Sequence, residues 1–458
     1  MRAGAEAART VGSLALSEPR GSMRPGELDH MAPDPLRKAL RYRWVILWVL
    51  ACGYILVYFH RLCPAVVAVD MMHDLQAGGT LLGLLSSAYF YPYAVMQLPA
   101  GLLADSWGPR RTITLFFGAA AVGSLLLGLA PSISWAIFGR TLVGLGVSMF
   151  FVPTLKVLAE WFRATEFATV TGILMAMGGV GSLSASTPLA LLSSWIGWRL
   201  SFAAVGLFTL VMSVLIWLLV RDRPVDLGWP SPTEDRETGS AEIGLVEGMK
   251  KVLTCGWFWP LAVWFFFDCA VLYSFSGLWG GPYLMHVYGL SKAESGHILS
   301  MVAVGLIVGS PLVSFLSDRI FRARKPVLVS ASAILAGITA LLAFRTDALS
   351  VLALSLICLG VGMFAGAIVV IAFTATKELF PVQMAGTSTG LVNLFPFLGS
   401  GIFQPFLGYL LERQGQAAGA FTVAGYRHAF LALFACAMAT LLASLLVKET
   451  LVTDRSGG

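Results

Sequence analysis

Long uninterrupted apolar blocks are the feature that most constrains what this sequence can fold into. Blocks of about 18 or more apolar residues cross a bilayer as helices, because lipid offers no partners to backbone N–H and C=O groups. The short alternating strands of a membrane barrel are not seen in the sequence. We therefore predict an all-α membrane protein. Its twelve transmembrane helices are expected at 44–69, 81–103, 112–130, 134–155, 167–190, 200–220, 257–280, 295–317, 326–344, 349–372, 385–410 and 429–447.

Composition excludes a soluble globular protein. Only 12% of the 458 residues are charged and 57% are hydrophobic, whereas soluble domains carry roughly 25% charged residues. The net charge of +6 fits basic loops that face the cytoplasm better than a surface that binds nucleic acid. We expect a monomer whose partners are the lipid bilayer and a small solute, and no nucleic acid.

Sequence patterns of metal and nucleotide sites are absent. Neither HExxH nor a P-loop occurs, and no cysteines form CxxC or another metal-ligand spacing. We therefore expect no metal, no cofactor and no enzymatic activity. The cysteines lie within or at the ends of apolar blocks: Cys52, Cys63, Cys255, Cys269, Cys358 and Cys436.

The domain organisation follows from the polar segments. The longest polar connection, 221–256, contains RDRP, GWPSP and EDRETGS, which are typical of a linker. It separates two six-helix bundles, at 42–220 and 257–447. Residues 1–41 are predicted to form a disordered segment without a signal peptide, with Met23 and Met31 as alternative starts. Residues 448–458 form the C-terminal tail.

The distribution of Lys and Arg predicts the orientation. Segments on the side of the N-terminus hold twenty of these residues, and the loops on the other side hold five: Arg199, Lys292, Arg345, Arg413 and Arg427. Because cytoplasmic loops carry the excess of basic residues, both termini are predicted to be cytoplasmic. The expected location is a bacterial inner membrane.

The sequences of the two bundles resemble each other at equivalent positions. EWFRATEFATVTGI at 160–173 and ELFPVQMAGTSTGL at 378–391 share Glu, Phe, Thr and Gly at one offset, after blocks four and ten. GLLADSWGPRR at 101–111 and SFLSDRIFRARK at 314–325 follow blocks two and eight. Internal repeats of this kind are typical of secondary transporters that work by alternating access. The prediction is two pseudo-symmetric six-helix bundles.

These motifs resemble a known superfamily. GLLADSWGPRR resembles the signature loop of the major facilitator superfamily, and FGRTLVGLGVS at 138–148 resembles its helix-four motif. The resemblance extends from about residue 40 over nearly the whole chain. Two departures are Ser106, where the family usually has a basic residue, and the missing helix-five motif of drug antiporters. The second departure argues against drug efflux.

Two subfamilies share further segments. YFHRLCPAVVAVDMM at 58–72 resembles the first helix of organic-anion symporters. YFYPYAVMQLPAGLLADSWGPRR and the LWGGPYL stretch at 278–284 resemble bacterial intraphagosomal amino-acid importers and their lysosomal dipeptide-carrying relatives. The resemblance implies a transporter of a small anionic or zwitterionic solute, such as a carboxylate, an amino acid or a short peptide.

The family resemblance also assigns a gate. It implies that the signature loop locks the cytoplasmic side in the outward-open state, whereas a simpler interpretation is an anchor for topology. Asp105 is expected to pair with the arginines after it, and the second half should repeat the arrangement. The predicted gating residues are Asp105, Arg110, Arg111, Asp318, Arg319, Glu160 and Glu378.

Arg61 is the first candidate for substrate binding, because it lies deep in the first apolar block. An arginine inside a membrane is costly and usually faces a wet cavity, although its side chain could instead reach the outer interface. Aromatic and amide side chains in other helices could complete the site or simply pack. These are Tyr89, Tyr93, Gln97, Tyr273, Trp279, Asn393 and Gln404.

Proton coupling is expected to use Asp268, the acid well inside the seventh block. A salt bridge between Asp268 and Arg61 is the competing interpretation. His60 and Arg140 are further candidates, with packing or an interhelical pair as alternatives. The sequence thus predicts a secondary active transporter, with proton symport as the first hypothesis and an efflux antiporter or facilitator as the alternative.

The orientation can be tested with topology reporters. Fusions near Ser231 and at the C-terminus should report cytoplasm, and a fusion near Gly415 should report the opposite side. Enzymatic reporters that are active on one side of the membrane make the measurement. A central loop on the external side would contradict the assignment of all twelve helices.

Overall fold

A computed structural model describes residues 34–231, 245–381, 384–417 and 419–451. The predicted disorder at 1–33, the alternative starts and the end of the C-terminal tail lie outside these residues. Residues 34–41 were assigned to the disordered segment, and that prediction is wrong. They form the first turns of the helix Asp34–Leu62, where Ala39 and Leu40 are buried.

We number the membrane spans from 1 to 12. Those of the first half are span 1 (Asp34–Leu62 and Pro64–Asp74), span 2 (Gly79–Ser87 and Phe90–Ser106), span 3 (Pro109–Gly128), span 4 (Ile133–Ser148 and Phe151–Trp161), span 5 (Ala164–Ser184 and 187–196) and span 6 (198–219).

The second half also has six spans. It contains span 7 (Phe258–Ser274, Phe275–Trp279 and Gly280–Tyr288), span 8 (Lys292–Phe315 and Leu316–Ile320), span 9 (Lys325–Phe344), span 10 (Val351–Val361, Gly362–Ala367 and Val369–Glu378), span 11 (Ala385–Val392 and Leu394–Arg413) and span 12 (Val423–Leu446). A short antiparallel hairpin, Gln416–Ala417 with Ala420–Phe421, precedes span 12.

The predicted fold class is confirmed. Eleven helices of the described chain are long and apolar enough to cross a membrane. The remaining predicted helix, span 2, is interrupted between Ser87 and Phe90, so neither piece is long enough alone. Breaks inside spans are tolerated where neighbouring helices cover the backbone, and Tyr89 and Phe90 at this break are buried.

The connection between spans 5 and 6 differs from the sequence prediction, which placed a loop at 191–199. The helix continues to residue 196 and turns at Gly197, whose φ of 77° lies in the left-handed region. Glycine adopts that conformation without a Cβ clash. The predicted linker at 221–256 likewise contains a helix, Leu245–Thr254, whose Val252 is buried against the second half.

Glycines let the helices of each half approach closely. A Cβ at Gly144 would collide with the carbonyl oxygen of Tyr89, and one at Gly181 with that of Ile55. The second half repeats this between Gly362 and Val302. Small residues are the usual means of close helix packing in membranes. Gly172 of span 5 differs, since no atom lies within 4 Å of its Cβ position.

Backbone contacts join the two halves tightly at one end of the molecule. At the end opposite the signature loop, which we call the outer end, Gly281 lies against the backbone of Ala65 and Gly408 against that of Gly79. At the inner end, four glycines have open space at their Cβ positions: Gly101, Gly172, Gly386 and Gly390. The path between the halves is therefore closed at the outer end.

Candidate functional site

Arg61 lies on span 1 where the two halves face each other, and only 5% of it is exposed. Its Nε donates to the hydroxyl of Tyr89 at 3.5 Å, and its Nη1 donates to the hydroxyl of Tyr273 at 3.3 Å. Tyr89 belongs to the first half and Tyr273 to the second, so the guanidinium bridges the halves. The simpler interpretation, a side chain that reaches the outer interface, does not fit this burial.

Aromatic rings surround the guanidinium on its other sides. The Arg61 carbon Cζ lies 4.7 to 5.7 Å from the ring centroids of Tyr58, Tyr93, Tyr273 and Phe397. Cations over aromatic faces are stabilised by about 0.5 to 2 kcal/mol. The sequence analysis missed Tyr58 and Phe397, although Tyr58 lies close to Arg61 in sequence on the same helix.

Asp268 is not the partner of Arg61. Its side chain is fully buried, but no ion pair joins the two in the described chain, and both carboxylate oxygens lack a hydrogen-bond partner there. One turn before it, Trp264 donates to Ser332 of span 9. Because residues four apart share a helix face, Asp268 faces the interior of the second half. The competing interpretation, a salt bridge between Asp268 and Arg61, is therefore wrong for this arrangement.

Arg140 and His60 lie behind Arg61, inside the first half. Arg140 Nη1 donates to the carbonyl oxygen of His60 at 2.8 Å, and its guanidinium lies 5.0 Å from the ring of Tyr89. His60 Nε2 lies 3.2 Å from the hydroxyl of Thr209 on span 6. Both side chains are fully buried, so they support the Arg61 helix from behind.

The amide candidates fall into two groups. Gln97 accepts a hydrogen bond from Asn393 at 2.7 Å, across the two halves. The side-chain amide of Gln404 donates to the backbone carbonyl oxygen of Tyr273 at 2.8 Å, and the backbone carbonyl oxygen of Gln404 accepts from the indole of Trp279 at 2.9 Å. Trp279 is buried in an apolar core to which both halves contribute, which gives it a packing role.

The signature loop forms different pairs from those expected. Asp105 pairs with Lys156 of span 4 rather than with an arginine. The backbone N–H of Arg110 donates to Asp222 at 2.6 Å, next to Gly108 with φ of 87°. Burial raises the pKa of the Asp222 carboxyl, although the N–H of Arg110 opposes that shift. Sequence reasoning missed Lys156 and Asp222.

The second-half loop is organised by Arg324, which was not among the candidates. It pairs with both Asp318 and Glu378, the latter at 3.0 Å. Arg319, which was predicted for this role, is exposed and has no partner in the described parts of the chain. In the first half, Glu160 lies 4.0 Å from Arg223. None of these pairs joins one half to the other.

Two contacts close the outer end. Lys292 at the start of span 8 pairs with Asp70 of span 1, and the hydroxyl of Thr80 donates to Glu412 of span 11. Both join the first half to the second. The sequence contained a signal, since Lys292 is one of few basic residues in the outer loops. The inner gating pairs were predicted instead, and this outer contact was missed.

Comparison with known proteins identifies the family. The sequence model of the Major Facilitator Superfamily matches residues 50–403. The chain belongs to that superfamily. The Hexuronate transporter of Bacillus subtilis is 26% identical over 403 residues, which cover 83% of this chain and 90% of that protein. A probable galactarate/D-glucarate transporter of the same organism is 26% identical over 430 residues, covering 87% and 92%.

Solved structures share the fold of this superfamily member. A bacterial homolog of the human lysosomal transporter Spinster, inward-facing and unoccupied, superposes with a TM-score of 0.73 at 21% identity. It covers 89% of this chain and 98% of its own. A D-xylose-proton symporter gives 0.71 at 16% identity, covering 91% and 99%. Because the chain belongs to this superfamily and its relatives are transporters, the protein is an integral membrane transporter and not an enzyme.

The segment GTSTG at 386–390 matches a motif that hydrolases use to present a serine nucleophile. In hydrolases the motif lies on a strand-to-helix turn. Here it lies inside a helix of span 11, and the buried Ser388 donates to the carbonyl oxygen of Ala385 at 3.2 Å. The motif therefore lacks the geometry of a nucleophile.

The outer contact can be tested by distance measurements. Spin labels are placed at Gln76 and Gly289, which are both exposed in the outer loops. In Lys292→Gln the distribution of distances between the labels should gain a component at longer distance, because the ion pair with Asp70 is lost. A partly exposed pair contributes at most about 1 kcal/mol, or about fivefold in population. Lys251→Gln, which removes a pair inside one helix, is the control. An unchanged distance distribution in folded Lys292→Gln would refute the closing role.

Proposed function

We propose that the protein is a secondary active transporter of a small organic carboxylate, coupled to proton movement. In this proposal it lies in a bacterial inner membrane with both termini in the cytoplasm. The observation that carries the proposal is the buried guanidinium of Arg61, which contacts hydroxyls and aromatic rings of both halves and no carboxylate among the described residues.

The energetics of this burial favour an anionic ligand. A buried charge is costly unless it is paired, and the two tyrosine hydroxyls at 3.3 and 3.5 Å are long hydrogen bonds. A carboxylate can accept two parallel hydrogen bonds from a guanidinium and neutralise it. A bound anion would therefore complete the site, and it would do so at the junction of the two halves.

The names of the relatives agree with this class of ligand, since hexuronate and galactarate are carboxylates. An amino acid or peptide would also need a partner for its ammonium group. Asp268 faces the interior of the second half instead of the rings around Arg61. These observations favour an anion over a zwitterion.

Asp268 remains our candidate for the coupling proton. A buried carboxyl with no hydrogen-bond partner is far less costly in its neutral, protonated form than as a carboxylate, and Asp268 has this environment. Protonation of Asp268 would remove a buried charge from span 7, which also carries Tyr273 beside Arg61. Proton uptake by Asp268 and anion binding at Arg61, which contacts Tyr273, would then both act on span 7.

Replacing Arg61 tests the carboxylate site. Arg61→Lys keeps the charge but loses the planar fork, so uptake of a hexuronate such as D-galacturonate into proteoliposomes should fall by about tenfold or more. Arg413→Lys, at an exposed site in the last turn of span 11, is the matched control and should behave as the wild type. Equal uptake by Arg61→Lys and wild type would exclude Arg61 as the anion-binding residue.

The same vesicles separate coupling from binding. With an inward proton gradient, the wild type should concentrate the substrate, whereas Asp268→Asn should exchange it across the membrane without concentrating it. A variant that still concentrates substrate would remove Asp268 from the coupling step. A wild type that never does so would identify a facilitator instead.

A further inference from the structure

A pocket of about 450 Å³ opens on the outside of the first half, at the inner ends of spans 2, 3 and 6. It is lined by Trp107, Arg111, Thr114, Leu115 and Trp217. The indole of Trp107 and that of Trp217 are 50% and 42% exposed, and Leu115 is 62% exposed. Exposed apolar side chains on spans of a membrane protein contact lipid, and tryptophans concentrate at the level of the headgroups.

One arginine, Arg111, lines the pocket. Arg111 is exposed and has no hydrogen-bond or ion-pair partner among the described residues. Arg110 beside it stacks on Trp217 at 4.2 Å and donates through Nε to the carbonyl oxygen of Trp217 at 2.9 Å. Arg221 donates to the carbonyl oxygen of Leu218 at 2.9 Å. Asp222 is the nearby acid, and it is occupied by the backbone N–H of Arg110.

The lining also includes a threonine. The hydroxyl of Thr114 is buried and has no hydrogen-bond partner in the part of the chain that the structure describes. Arg111 offers donors on one side of the pocket, while Leu115 and the two tryptophans form an apolar wall. The ligand that fits is therefore an anionic group attached to a hydrocarbon chain.

We propose that this pocket binds the phosphate of an anionic phospholipid from the inner leaflet, with its acyl chains along Leu115 and Trp217. Guanidinium groups bind phosphate through charge-assisted hydrogen bonds, and no described residue accepts a hydrogen bond from the Arg111 side chain. The site is separate from Arg61, which faces the second half through Tyr273. It joins the signature loop to span 6, so the lipid would stabilise that junction.

Native mass spectrometry of the full chain tests the proposal. Protein from detergent is mixed with phosphatidylglycerol or phosphatidylethanolamine, and the retained lipid is counted. The wild type should retain phosphatidylglycerol preferentially, and Arg111→Gln should lower that retention by about fivefold, as expected for one arginine near an anionic headgroup. Arg319→Gln, an exposed arginine in the equivalent loop of the second half, should retain lipid as the wild type does.

The other outcomes are also informative. Equal retention by Arg111→Gln and wild type, at equal melting temperature, would overturn the proposal. Displacement of the lipid by soluble glycerol phosphate would overturn it as well, since it would identify a site for a free phosphate. Arg111→Lys keeps the charge and should retain an intermediate amount of phosphatidylglycerol. That variant keeps the test valid if the glutamine variant is unstable.

Discussion

The guanidinium of Arg61 is held at the junction of the halves by tyrosine rings and two long hydrogen bonds, and by no carboxylate of the described residues. Burial of an unpaired charge opposes stability. In a receptor for anions the same arrangement is favourable, because the ligand supplies the missing charge and gains from the low dielectric around it. Tyr89 and Tyr273 come from different halves, so an anion on Arg61 would change how strongly the halves attract one another.

The arrangement of the halves gives this coupling a direction. The outer end is closed by the ion pair of Asp70 with Lys292 and by backbone contact between Gly79 and Gly408. No ion pair of the described residues joins the halves at the inner end. There, no atom lies within 4 Å of the Cβ positions of Gly101, Gly386 and Gly390. The change between the two arrangements of the halves then needs only modest energies. A difference of about 5.5 kcal/mol changes the populations of two states from about 1:99 to about 99:1.

The sequence predicted the spans well because the length of each apolar block gives the length of the helix. Arg61 was evident as a cation inside such a block. Pairings were harder to predict, because they depend on the direction in which each helix face points. Lys156 and not Arg110 pairs with Asp105, and a rotation about the helix axis separates Asp268 from Arg61. The turn at Gly197 was missed because the apolar residues continue through it.

The most direct measurement is a thermal-shift comparison of organic acids with their matched amides on the purified protein. A carboxylate that binds Arg61 should raise the melting temperature of the wild type, while its uncharged amide of the same shape should not. Equal stabilisation by an acid and its amide would contradict the account, because the buried guanidinium would then not be the group that recognises the ligand.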